Sequence, residues 1–170
     1  LPNRQIARLQ LVEEVRTREA SAQIRQDAES AAKQVANGEI PSPLGVLGRL
    51  QGDLGDLVEG TARNEAATAV DALGRAIGQK MLVESGGWVP EADGVVATVR
   101  VLTAEGPVSG LMLDVRFPDS EHSVVVVTDT VGTARAHIDK MRPLGAMRIT
   151  VAPGGLVSLS RDLRFEPPWA

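Results

Sequence analysis

Gly94 to Phe165, GVVATVRVLTAEGPVSGLMLDVRFPDSEHSVVVVTDTVGTARAHIDKMRPLGAMRITVAPGGLVSLSRDLRF, is the stretch on which the fold turns. Val95, Ala97, Val99 and Val101 alternate with more polar neighbours, the two-residue period of a half-buried strand. Leu111, Leu113, Val115 and Phe117 do the same around Asp114 and Arg116. Val124 to Val127 is an unbroken β-branched run and predicts a central strand covered on both faces. Asp129 or Thr130 then caps a helix whose buried stripe is Val131, Ala134, Ile138 and Met141, and Pro143 ends it. Met147, Ile149 and Val151 alternate again. Ala152-Pro153-Gly154-Gly155 is a hairpin turn, and Val157, Leu159, Leu163 and Phe165 continue beyond it. The predicted class is α+β: N-terminal helices, then a five-stranded, mostly antiparallel sheet in β-β-β-α-β-β order.

Upstream, Ala62, Ala66, Ala69, Val70, Leu73, Ile77 and Met81 mark an amphipathic helix reaching about Val83. Residues 84–94, ESGGWVPEADG, have the composition of a loop. Trp88 in that loop either plugs the edge of the core or stands out as a binding anchor. Residues 58–170 are thus expected to form a small α+β domain.

Residues 1–57 read as a helical extension with a glycine-rich apolar segment. Ile6, Leu9, Val12 and Val15 begin a helix over residues 4–37, and Ile24, Ala28, Ala31 and Val35 continue it. An exposed helix of this length is marginal alone, so it lies against its own chain, a copy or a partner. After the break at Ile40-Pro41, Ser42 and Pro43 look like an N-cap and first helical residue. Leu44, Leu47, Leu50, Leu54 and Leu57 follow at helical spacing beside Gly45, Gly48, Gly52 and Gly55. Each glycine in a helix costs about 1 kcal/mol relative to Ala. The segment is therefore either a short, mobile helix or turn-rich linker, or a helix whose glycine face lets a neighbouring backbone approach closely.

The order helix, three strands, helix, two strands is similar to that of secretion-chaperone-like domains. That resemblance implies protein binding through a sheet and a helix.

Composition narrows the function classes. Hydrophobic residues make up 43% and charged residues 24%, as in a soluble globular protein. The net charge of −4 is spread without a basic block, so nucleic acid is a disfavoured partner. There is no cysteine, which rules out disulfides and thiol catalysis and fits a cytoplasmic location. No cofactor motif of the GxGxxG or GxxxxGK[ST] kind occurs. His122 and His137 have no ligand spacing, and Asp129 is the best-placed carboxylate for an enzyme that would pair it with a histidine.

The resulting expectation is a non-enzymatic protein-binding or assembly protein, adaptor-like or chaperone-like, without a cofactor or metal. It would engage another protein or itself, as a homo-oligomer, through Ile6, Leu9, Val12, Leu44, Leu47, Leu54 and Trp88. The alternatives are a small enzyme built on Asp129 and a histidine, and a nucleic-acid-associated protein using Arg4, Arg8 and Arg25.

Overall fold

The computed structural model describes residues 2–118 and 123–170. Among the described residues three helices precede two antiparallel sheets, so the chain is α+β. The helices are α1 (Pro2–Ala36), α2 (Pro41–Gly55) and α3 (Thr61–Lys80). α1 and α3 run side by side in the same direction, and α2 returns between them. Ser21 Oγ donates to the Ala62 carbonyl (2.5 Å), Arg25 reaches Glu65 (3.5 Å), and Arg49 on α2 reaches Asp27 (3.4 Å).

Spacing explains which helix faces are buried. Ile24, Ala28, Ala31 and Val35 step by four, three and four residues, stay on one face and are buried. In α2 the helix starts one residue before the expected cap, at Pro41, and both prolines fall in the first turn, where a missing N–H costs nothing. Leu44, Leu47 and Leu50 are buried, whereas a Cβ on Gly45, Gly52 or Gly55 would meet nothing within 4 Å. Burying a leucine contributes about 1.5–3 kcal/mol, more than the roughly 1 kcal/mol that each glycine costs. The segment is thus a continuous helix, and most of its glycine face is open.

The strands are β1 (Leu82–Glu91), β2 (Gly94–Thr103), β3 (Gly106–Pro107), β4 (Met112–Arg116), β5 (Ser123–Val127), β6 (Thr133–Asp139), β7 (Met147–Pro153) and β8 (Arg161–Phe165). One sheet centres on β2, which pairs with β1, β3 and β6. The other has the order β5-β4-β7-β8. Val157–Leu159, expected as strand, forms a 3-10 turn.

The single five-stranded sheet expected in β-β-β-α-β-β order is instead, among the described residues, two four-stranded sheets, because residues 84–91 and 133–139 add strands. Three further expectations are corrected. Residues 131–141 are not a helix. Thr133-Ala134-Arg135-Ala136-His137-Ile138-Asp139 also has period two, and as β6 it puts Ala134, Ala136 and Ile138 inward against β2. The apolar residues fit both periods, and pairing with the valine-rich β2 decides between them. The resemblance to secretion-chaperone-like domains fails with that helix.

Residues 84–91 are strand rather than loop. Their glycines sit at a bulge, where the register with β2 breaks between Ser85 and Trp88. Pro90 is tolerated because β1 is a sheet edge. Gly87 has φ +81°, and a Cβ there would lie 2.9 Å from the Glu166 carbonyl oxygen. The adjacent Trp88 N–H donates to that same oxygen (2.9 Å), which joins the two sheets.

Finally, β5 is an edge strand and not a central one. Val125 is 60% exposed and Val127 59%. The unbroken valine run reflects β propensity, with only Val124 and Val126 turned inward.

The inner faces of both sheets and the three helices share one hydrophobic cluster running from Ile24 to Phe165. Leu47 packs over Gly74, Gly48 meets Leu156, and Gly78 meets Leu159. That cluster includes residues on both sides of the boundary expected between residues 57 and 58.

Candidate functional site

α1 changes character along its length. From Ser21 onward one face is buried in the body. Before Ser21 the helix extends past the α2–α3 turn, and Ile6, Leu9, Leu11, Val12 and Val15 are 43% to 65% exposed. The spacing is responsible. Three residues advance about 300° around a helix, so a strict i, i+3 series falls about 60° short per step. Ile6, Leu9, Val12 and Val15 therefore wind around α1, whereas the four-three-four series below Ser21 stays aligned. A winding stripe cannot be buried on the same flat surface as the aligned one.

Charges flank this apolar surface. Arg4 and Arg8 lie in the first turns, then Glu13 and Glu14, then Arg16, Arg18 and Glu19. Glu14 pairs with Arg18 within the helix (3.7 Å), and both groups are more than half exposed. Such a pair contributes a few tenths of a kcal/mol. Beside the helix lies an open groove of about 690 Å³. One wall is α1, from Gln10 to Arg18. The other is the α2–α3 turn, from Val58 to Ala62. Val58 is itself 60% exposed and faces a polar wall of Gln10, Glu13, Glu14, Thr17 and Arg18 across the groove.

The structure separates the seven residues expected to meet a partner. Ile6, Leu9 and Val12 share the exposed half of α1. Leu44 and Leu47 are buried in the helical layer, and Leu54 is half-buried against the core. Trp88 is 2% exposed. Its ring sits at the bulge of β1, donates Nε1–H to the Gly145 carbonyl (3.0 Å) and meets Trp169 edge to face at 5.1 Å. In this arrangement Leu44, Leu47 and Trp88 pack the interior and offer a partner no surface. Leu11 and Val58 were not anticipated. Leu11 sits off the i, i+3 series, and Val58 lies in a turn where no periodicity marks it.

The groups considered for chemistry are dispersed. Asp129 lies in the β5–β6 turn, where its Oδ1 accepts the N–H groups of Val131 and Thr133, both at 3.0 Å. The Thr133 N–H first, then that of Val131, hold its carboxyl below the usual carboxylate range. This is the chemistry of a side-chain-capped turn, expected at a helix start and found in the connection between the two sheets. His137 stands on the outer face of β6 against Glu91 (3.1 Å), and His122 lies outside the described residues. Among the described residues no three His, Asp or Glu side chains converge on a metal-sized space. No described helix is long and apolar enough to cross a membrane. No protein-family model, no curated protein and no solved structure matches the chain.

Proposed function

We propose that the protein is a binding and assembly module whose working surface is the first half of α1. The observation that carries this reading is the contrast within one helix. The same residue types that are buried after Ser21 are displayed before it, at Ile6, Leu9, Leu11, Val12 and Val15. They display five large apolar side chains, 43% to 65% exposed, along about three turns of one helix, where an ordinary monomer scatters its exposed apolar residues singly. A body with its own closed core has no need of this surface, because the cluster from Ile24 to Phe165 excludes it. The partner's complementary feature is an apolar helix face, since a helix reads another through anchors spaced three and four residues apart.

The test is site-specific photo-cross-linking in the cell of origin. A photoreactive residue at Leu9 or Val12 should form a discrete protein adduct, and one at Arg135 on the outer face of β6 should not. Ile6→Ser, Leu9→Ser and Val12→Ser combined should abolish the adduct formed from Leu11 while the melting temperature stays within about 2 °C, the margin expected of surface changes. A triple variant that cross-links as the parent does would contradict the assignment.

A further inference from the structure

Independently of α1, we infer that β5 and β6 form a seam that zips shut in one fixed register and gates the cleft beside it. Among the described residues β5 pairs only with β4, and β6 only with β2. At one end of the seam the Asp129 N–H donates to the Thr133 carbonyl (2.9 Å). That bond sets the register. Stepping away from it two residues at a time, Val127 falls opposite Arg135, Val125 opposite His137, and Ser123 opposite Asp139.

The backbone groups of these six residues point into the seam. In an antiparallel pair alternate residues bond the neighbouring strand, and the residues between them turn their N–H and C=O the other way. On β6 two flanking bonds fix the alternation: Lys140 N–H to the Asp93 carbonyl (2.5 Å) and Val101 N–H to the Gly132 carbonyl (2.8 Å). Ala134, Ala136 and Ile138 therefore bond β2, and Arg135, His137 and Asp139 face β5. On the other side the Thr128 N–H donates to the Leu111 carbonyl (2.9 Å). Val124 and Val126 therefore bond β4, and Ser123, Val125 and Val127 face β6. Two complementary rows of donors and acceptors stand opposite each other, and a strand edge of this kind is a template for pairing.

The side chains agree. Val124, Val126 and Ile138 point inward but are only half-buried, whereas their ladder partners Val115, Leu113 and Val95 are fully buried. The parted seam accounts for the difference. Away from Asp129 it widens into an open cleft of about 1030 Å³, lined there by Ser123, Val124, Ile138 and Asp139. Zipping pairs both edges, covers the three half-buried side chains and closes this side of the cleft. It sets no two like charges directly opposite each other, which would oppose it.

Solution NMR of the full chain tests the gate. In the closed register Val126–Ala136 and Val124–Ile138 are the closely approaching, non-hydrogen-bonded pairs, so their Hα protons should show cross-strand contacts. The amides of Val125 and His137 should exchange at least about tenfold more slowly than in an unstructured peptide, yet faster than those of Val126 and Ala136, which bond the inner strands. Val125→Pro removes a donor that points into the seam and none that bonds β4. It should abolish both Hα contacts while the Val124 and Val126 amides stay protected. Unstructured-peptide exchange at Val125 and His137 in the parent would overturn the zipping. Protection there equal to that of Val126 and Ala136 would mean a permanently closed barrel and would overturn the gate. Hα contacts in a shifted register would overturn the role of the Asp129–Thr133 bond. The parent measurements stand by themselves if the proline variant fails to fold.

Discussion

Replacing Gly52 by alanine should make the protein more stable, and the structure sets the size of the gain. Gly52 lies inside α2, and a Cβ there would meet nothing within 4 Å. The substitution therefore removes no contact and creates no clash. What remains is the backbone: alanine loses less conformational freedom than glycine on entering a helix, about 0.5–1 kcal/mol in favour of the folded state. Gly45 is in the same position, also with nothing within 4 Å. The two sites are about 10 Å apart along the helix, far enough for their effects to add. Gly45→Ala with Gly52→Ala should then gain about 1–2 kcal/mol in all. In a domain of this length that raises the melting temperature by about 2–8 °C. Urea denaturation followed by circular dichroism should show a higher midpoint at constant slope, because the surface exposed on unfolding is nearly unchanged. Gly94→Ala is the opposing control, since its Cβ would run into the Ile138 carbonyl oxygen. A lower midpoint in the double variant would refute the reasoning, because it would mean that the open face of α2 is covered.

Leu47→Ala should cost about 2.7–5 kcal/mol, the range for emptying a leucine site, because Leu47 is fully buried over Gly74; a loss below 1 kcal/mol by urea titration would mean that α2 is a loose linker. Val125→Asp should leave a cooperatively folding protein, with a loss of about 1 kcal/mol or less from strand propensity, since that side chain is 60% exposed on an edge strand; an unfolded variant would restore a central position for β5. Asp129 is expected to couple stability to pH. Its folded-state pKa is depressed by the Thr133 and Val131 N–H groups, so its contribution is complete above the unfolded carboxylate value and is lost as pH falls through the lower folded value. Asp129→Asn, which keeps an acceptor oxygen, should flatten the acid limb of the stability curve, and an identical limb in the variant would assign the dependence to other carboxylates.

Sequence period alone identified α1, α3, β2, β4 and β7; for α2 it gave the helical leucine spacing but left a turn-rich linker open, because the glycines oppose a helix. It named Ile6, Leu9 and Val12 as partner-binding together with Leu44, Leu47, Leu54 and Trp88, and could not tell the exposed ones from the buried. Three decisions belonged to the tertiary structure. Residues 133–139 satisfy both a helical and a strand period, and only the seven-residue pairing with β2 removes the ambiguity. Residues 84–91 look like a loop because glycine and proline are weak strand formers. The bulge and the free edge of β1 are the places where they are tolerated. Val124–Val127 has the same letters whether its strand is central or at an edge, and exposure is fixed by which strand lies next to it. Trp88 follows the same logic: its type suits a core plug and a surface anchor equally. The chain crossing at Glu166 and the carbonyl of Gly145 place it inside. Local period is a property of the chain itself, whereas burial depends on neighbours that lie far away in sequence, and a residue's surroundings exist only once those neighbours have come together.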